Sequence, residues 1–171
     1  EVGKGSVFWV ELVTAEAPQL ASSDAELIRL TEPKAAPSAP PRTLLYVEDN
    51  PANLELVEQI VARRPDMRLV SARNGPQGIA LAHSARPDVI LMDINLPGMS
   101  GIKAMQILRG ESVTAHIPVV ALSDNAMPRD IKRGLEAGFF RYLTKPINVA
   151  DFLTTLDLAL THADREAGLG A

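Results

Sequence analysis

Three acidic residues stand where two apolar stretches of the chain end. Glu48 and Asp49 directly follow the apolar residues 44–47, and Asp93 directly follows the apolar residues 89–92. Carboxylates that come together repel one another, so all three stay ionised only if a cation lies among them. Mg²⁺ is the natural choice, because it prefers oxygen ligands and binds through a few carboxylates while it keeps several waters. We therefore predict a Mg²⁺ site at these acids.

Two further polar residues extend this candidate site. Ser123 follows the mostly apolar residues 117–122, and Lys145 follows a predicted strand at residues 139–143. Beside a metal-bound carboxylate, a hydroxyl and an ammonium suit one task, which is to hold the oxygens of a phosphoryl group on that carboxylate. The lysine supplies a point charge and the serine a hydrogen bond.

An alternation of strands and helices is expected to bring these residues together. The predicted strands are residues 44–47, 68–71, 88–93, 117–122 and 139–143, and the predicted helices are residues 53–64, 75–85, 101–109, 128–137 and 149–161. This pattern predicts an α/β fold of the flavodoxin-like, doubly wound (βα)5 type, with a five-stranded parallel sheet in the order 2-1-3-4-5. In that order the first and third strands are neighbours, and the ligand crevice lies beyond their carboxyl ends, where Glu48, Asp49 and Asp93 are found.

Composition divides the 171 residues into four parts. Residues 43–162 carry the regular pattern and form the predicted domain. Residues 31–42 are rich in proline and alanine and cannot supply a core, so they form a predicted linker. Residues 1–30 contain a predicted strand and a short helix, and residues 163–171 form a predicted flexible tail.

The overall composition argues against several classes of protein. The net charge of −4 and the pI near 5.4 disfavour a nucleic-acid-binding surface. The chain has no cysteine, which excludes disulfides, thiolate catalysis and Cys-rich zinc sites and fits a cytoplasmic location. No apolar run approaches the ~20 residues that a membrane helix needs, so we expect no membrane contact by this chain.

Residues 43–160 resemble the receiver domains of two-component response regulators. The motif YVEDN at residues 46–50 resembles the acidic opening of that family, and DINLPGMSG at residues 93–101 resembles its phosphoacceptor loop. The other matching positions are a switch hydroxyl, its aromatic partner and a Lys-Pro pair, at Ser123, Tyr142, Lys145 and Pro146. This ordered set is far more specific than any one of its members.

The resemblance implies a phosphoacceptor module of a phosphorelay rather than an enzyme. Asp93 would take a phosphoryl group from a phosphohistidine in a Mg²⁺-dependent step, and Lys145 would offset charge on the phosphoryl oxygens. The implied metal ligands are Asp49, Asp93, the backbone carbonyl of Asn95 and, partly through water, Glu48. No other cofactor is implied.

The resemblance also implies a conformational switch. Phosphorylation would draw Ser123 inward and let Tyr142 turn toward the space it leaves, which would reshape the surface of the fourth helix and fifth strand. Asp124 departs from the family, where a small residue is usual, and its carboxylate is expected to crowd or repel the phosphoryl group. This departure favours an alternative, a receiver-like protein-binding module that is not phosphorylated.

A further alternative is a phosphohydrolase that forms an aspartyl phosphate on a similar sheet. Such enzymes usually carry a second acid two positions after the nucleophile, as the general acid. This chain has Asn95 at that position, and an amide cannot replace an acid there. The phosphohydrolase is therefore the weaker alternative.

Residues 3–12 are similar to the last glycine box and closing strand of histidine-kinase ATP-binding domains. Together with the linker and the receiver pattern, they predict the C-terminal receiver of a hybrid sensor histidine kinase, which is compatible with a membrane anchor in the parent protein. The implied partners are a histidine kinase core, in cis or in trans, and a histidine-phosphotransfer protein. The strand predicted at residues 6–13 is expected to pack on its own domain or to form a homodimer.

Overall fold

The computed structural model describes residues 40–124 and 127–169, in which five strands alternate with five helices. The strands are β1 (Arg42–Val47), β2 (Met67–Ala72), β3 (Val89–Asp93), β4 (Val119–Ser123) and β5 (Arg141–Thr144). The helices are α1 (Pro51–Val61), α2 (Gly75–Ala85), α3 (Gly101–Gly110), α4 (Pro128–Glu136) and α5 (Val149–Leu169). The features predicted within residues 1–30, including the dimerising strand at residues 6–13, lie outside the described residues.

The strands form one parallel sheet in the order β2-β1-β3-β4-β5. This order confirms the predicted flavodoxin-like fold. β1 lies beside β3, with Val47 opposite Met92. The residues that follow these two therefore leave the sheet side by side at its carboxyl edge, which brings Glu48, Asp49 and Asp93 to one place.

The core lies in two layers, one on each face of the sheet. Leu44 and Tyr46 of β1 join the cluster formed with α1 and α5, whereas Leu45 and Val47 join the cluster formed with α2 and α3. Successive side chains of a strand point to opposite faces, so an uninterrupted apolar strand fills both layers. β3 and β4 are buried along their whole length, which anchors the residues at their carboxyl ends.

The last helix is longer than the sequence predicted. α5 continues to Leu169, so the predicted flexible tail is helical over residues 163–169. Contacts beyond the predicted end hold this part of the helix on the domain. The ring of His162 stacks on that of Phe140 with centroids 4.9 Å apart, and Asp164 forms an ion pair with Arg42. No helix in the described part of the chain combines the length and apolar character needed to cross a membrane.

The first strand begins inside the predicted linker. β1 starts at Arg42 rather than after it. The Arg42 guanidinium donates to Asp88 Oδ1 at 2.6 Å, and the backbone N–H of Thr43 donates to the other oxygen of Asp88 at 2.7 Å. These bonds to the residue that precedes β3 fix the start of β1. The proline-rich composition of residues 31–42 did not predict these bonds.

Candidate functional site

A buried ion network occupies the carboxyl end of the sheet. Lys145 Nζ lies 2.8 Å from Glu48 Oε2 and 2.7 Å from Asp93 Oδ2. The exposed fractions of these side chains are 13% for Lys145, 0% for Glu48 and 3% for Asp93. The backbone N–H of Lys145 donates to the Ser123 carbonyl at 2.8 Å, and the Lys145–Pro146 peptide bond is cis. The structure thus brings together three residues that the sequence predicted for the site.

Burial and hydrogen bonds set the charges in this network. Burial raises the pKa of Asp93, and hydrogen bonds from Lys145 and a backbone amide offset this only in part. Burial also acts to raise the pKa of Glu48, but hydrogen bonds from Lys145, Tyr46 and a backbone amide outweigh it and lower that pKa. Burial acts to lower the pKa of Lys145, yet its bonds to the two carboxylates raise it overall. Lys145 therefore stays charged, and ionised Asp93 is stabilised by any further positive charge.

Tyr46 fixes the orientation of Glu48, a role that was not predicted from the sequence. Its hydroxyl donates to Glu48 Oε2 at 2.9 Å, and the backbone N–H of Asn50 donates to Glu48 Oε1 at 3.2 Å. Burial, followed by the charge of Glu48, raises the pKa of Tyr46, so the hydroxyl stays protonated and can donate. Residues two apart in a strand share a face. The sequence feature that could have predicted this hydrogen bond is therefore a tyrosine two positions before the glutamate.

The three predicted acids form a set of oxygen donors. Glu48, Asp49 and Asp93 each offer a carboxylate oxygen, and these atoms all lie within 4.8 Å of one another. Glu48 and Asp93 are buried, whereas Asp49 is exposed. One ammonium, that of Lys145, cannot neutralise three carboxylates, so the site favours a second cation. A donor set made only of carboxylate oxygens fits a hard divalent ion such as Mg²⁺.

Asn95 lies beside the acids and connects two loops. Its backbone N–H donates to Asp93 Oδ1 at 2.9 Å, so both oxygens of that carboxylate are engaged, the second one by Lys145. Its side-chain Nδ2 donates to Asp124 Oδ2 at 3.3 Å, which joins the loop after β3 to the loop after β4. The sequence placed Asp124 near the site but did not predict this bond. Binding of a metal by the Asn95 carbonyl stays a prediction.

Ser123 and Tyr142 lie on neighbouring strands, and Tyr142 is opposite Ala121, two residues before Ser123. Ser123 ends β4 and is buried, and Tyr142 in β5 is half-buried. Both line a cavity of about 150 Å³ together with Asn95. The predicted switch pair therefore surrounds one space next to the loop that follows Asp93. The movement itself stays a prediction.

The match to a family model decides what kind of domain this is. The model of the response regulator receiver domain matches residues 44–157. The chain belongs to this family. Residues 1–43 lie outside the match, so the match says nothing about the proposed kinase remnant.

Two response regulators illustrate the similarity of this receiver domain to other proteins. The polar-differentiation response regulator DivK of Brucella anthropi is 36% identical over 116 residues, which are 68% of this chain and 94% of DivK. The nitrate/nitrite response regulator NarL of Escherichia coli K12 is 38% identical over 120 residues, which are 70% of this chain and 55% of NarL. The chain thus spans most of DivK and about half the length of NarL.

A solved structure adds an observation on the metal. The receiver domain of sensor histidine kinase PA1611 from Pseudomonas aeruginosa PAO1 is 32% identical, with a TM-score of 0.65, and the match covers 71% of this chain and 98% of that domain. That structure has a magnesium ion coordinated in its active site cleft. Chemotaxis response regulator CheY4 of Vibrio cholerae, at 28% identity, also superposes with a TM-score of 0.65.

Proposed function

We propose that this receiver domain accepts a phosphoryl group on Asp93 from the phosphohistidine of a partner protein. The observation that carries the proposal is the position of the Asp93 carboxylate. It is almost fully buried, lies 2.7 Å from the Lys145 ammonium, and has two further carboxylates close by. An acid held in this way is costly as a purely structural element, because it concentrates negative charge where water cannot screen it.

In the proposed transfer, one oxygen of the Asp93 carboxylate attacks phosphorus. The new O–P bond forms as the P–N bond to the histidine breaks, and the electron pair of that bond stays on the imidazole nitrogen. The backbone N–H of Asn95 and the ammonium of Lys145 each hold one carboxylate oxygen, so the nucleophile is oriented before the donor arrives. The Lys145 ammonium can then contact the phosphoryl oxygens and offset the negative charge that develops on them.

The acids would hold Mg²⁺ in this process. The carboxylate oxygens of Glu48, Asp49 and Asp93 and the carbonyl of Asn95 are the proposed ligands, in keeping with the all-oxygen donor set. When bound, the ion supplies positive charge that offsets the negative charge of the donor and of the aspartyl phosphate. The magnesium in the PA1611 receiver domain supports this assignment by similarity.

The output of phosphorylation would be a change of surface. Ser123 would move toward the phosphoryl group, and Tyr142 would turn toward the space beside it. The cavity of about 150 Å³ between these side chains supports this proposal, because it gives the ring room to move. The surface formed by α4 and β5 would change as a result.

The domain would work in the cytoplasm as one step of a phosphorelay. Its phosphoryl group would come from a histidine kinase core, in cis or in trans, and would pass to a histidine-phosphotransfer protein. The resemblance of residues 3–12 to the end of a kinase ATP-binding domain supports a hybrid sensor histidine kinase as the parent protein. The similarity to the receiver of PA1611, itself a sensor histidine kinase, supports the same context.

A second candidate function is a binding module that takes up no phosphoryl group. The bond between Asp124 and Asn95 favours it, because it holds an extra carboxylate beside the loop that carries the phosphoacceptor. Whether Asp93 takes up a phosphoryl group decides which of the two proposed functions is preferred.

The test is intact-mass spectrometry of the full chain after incubation with acetyl phosphate and Mg²⁺. We expect one phosphoryl adduct on the wild-type chain, no adduct on Asp93→Ala, and a normal adduct on Asp88→Ala. Asp88 is the matched control, because it is also a carboxylate that binds a cationic side chain, but it precedes β3 instead of ending it. An unmodified wild-type chain, or an adduct that survives in Asp93→Ala, would make the binding module the better proposal.

A further inference from the structure

Gly134 lies in the last turn of α4, buried against the ring of Tyr142. A Cβ atom at residue 134 would lie 2.9 Å from Cδ2 and 3.0 Å from Cε2 of that ring. Such a contact is too close for a Cβ atom, so any side chain here would force the ring or the helix to move. Glycine inside a helix is also less favourable than alanine. The tyrosine ring therefore provides a packing reason for a glycine at this position.

Tyr142 also borders a space large enough for an aromatic ring. The cavity of about 150 Å³ that it lines has Ser123, Asn95 and Ile102 among its other walls. Ile94, Asp130 and Arg133 complete the lining, so the space is partly polar and suits a ring that carries a hydroxyl. Two places are thus available to the ring, the observed one against Gly134 and another beside Ser123.

We propose that Gly134 is a positioning residue that holds Tyr142 in its observed place and thereby sets how readily the ring turns toward Ser123. The inference rests on the proposed function, in which phosphorylation of Asp93 favours the turned ring. A change that disfavours one of two conformations raises the population of the other. Any ligand or modification that prefers the second conformation is then favoured as well. A methyl group at residue 134 would therefore favour the turned ring and the phosphorylated form together.

The experiment compares Gly134→Ala with Gly110→Ala in the full chain. Gly110 ends α3, and a Cβ atom there would meet nothing within 4 Å. Both variants add the same methyl group to a helix, but only the first presses on Tyr142. The chain has two tyrosines, so labelling with 3-fluorotyrosine gives one ¹⁹F NMR signal for Tyr142 and one for Tyr46, and the Tyr46 signal reports any general disturbance.

We expect Gly134→Ala without phosphodonor to move the Tyr142 signal toward the position it takes in the wild-type chain with Mg²⁺ and acetyl phosphate. Gly110→Ala should leave that signal in place. At a limiting concentration of acetyl phosphate, the ratio of phosphorylated to unphosphorylated chain should rise about fivefold or more in Gly134→Ala, the lower end of the effect of overpacking a core.

Three results would overturn the inference. A Tyr142 signal that stays in place in folded Gly134→Ala would show that the helix, not the ring, yields to the methyl group. The Tyr142 signal could also move while Gly134→Ala is phosphorylated to the same extent as Gly110→Ala. This result would show that the position of the ring is not coupled to phosphorylation of Asp93, and the proposed function would stand. A wild-type chain that takes up no phosphoryl group would remove the proposed function and this inference with it.

A second variant covers the case in which Gly134→Ala does not fold. The double variant Gly134→Ala with Tyr142→Ala removes the ring that the methyl group presses on. It should fold, and it should be at least as stable as Tyr142→Ala alone, because alanine is the better helix residue. A double variant that also fails to fold would contradict the contact on which the inference depends.

Discussion

The two ends of the sheet each place one cationic side chain between two carboxylates. At the carboxyl end, Lys145 lies between Glu48 and Asp93, whose side chains are 0% and 3% exposed. At the amino end, Arg42 lies between Asp88 and Asp164, whose side chains are 26% and 56% exposed. The chemical groups are nearly the same, so burial is the difference between the two networks.

Burial decides what each network can do. In water, an exposed ion pair is worth little, and excess charge is screened. In a buried network, excess charge is expensive and can be relieved by a ligand of opposite sign. Together with Asp49, the carboxyl end carries more negative charge than Lys145 can balance. The amino end is thus expected to hold chain segments together, and the carboxyl end to bind a cation and a phosphoryl group.

The largest expected effect comes from removing the cation of the buried network. Lys145→Ala should lower the rate of phosphorylation by acetyl phosphate about 100-fold or more, because no ammonium remains to offset charge on the phosphoryl oxygens. The rate is followed by intact mass over time, with Mg²⁺ present. Arg42→Ala is the control at the other end of the sheet and should react at the wild-type rate. Equal rates for the two variants would mean that the buried network has no special role.

An intermediate effect is expected from the exposed acid of the metal site. Mg²⁺ at about 100 times its dissociation constant should raise the free energy of unfolding of the wild-type chain by about 2.7 kcal/mol. Asp49→Ala should lose most of this gain, because one of the three carboxylates is missing. Urea unfolding at increasing Mg²⁺ concentrations measures it. A variant that Mg²⁺ stabilises as much as the wild-type chain would show that Asp49 is not a ligand.

The smallest effect is expected at the amino end. Arg42→Ala should lower the free energy of unfolding by no more than about 1 kcal/mol at low salt, since the pairs that it removes are partly exposed. The loss should shrink in about 1 M NaCl, where such pairs are screened. Urea unfolding at both salt concentrations measures the difference. A loss that is several times larger, or independent of salt, would contradict the contrast between the two ends.

The sequence predicted the sheet, and with it the place where the candidate site residues meet, for a physical reason. Apolar strands followed directly by acidic residues indicate both the core and its functional edge, as at Glu48, Asp49 and Asp93. In a parallel sheet the strand order alone then brings distant residues together. Ser123 and Lys145 were predicted on the same basis, and the structure places both at that edge.

Features that depend on side-chain contacts were not predicted. Arg42 belongs to β1, not to the linker, because of bonds to residues distant in the sequence. The end of α5 depends on similar contacts. The hydrogen bonds of Tyr46 to Glu48 and of Asn95 to Asp124 require side chains to meet in space, and no spacing rule for strands or helices specifies the second of these.

The most direct measurement identifies the residue that carries the phosphoryl group. The chain would be phosphorylated with acetyl phosphate and Mg²⁺ and then treated with borohydride, which reduces an acyl phosphate to an alcohol. Peptide mapping by mass spectrometry should find homoserine at position 93 and unchanged residues at Glu48, Asp49 and Asp124. Reduction at any of these other acids in place of Asp93, or at none, would contradict the central claim that Asp93 is the phosphoacceptor.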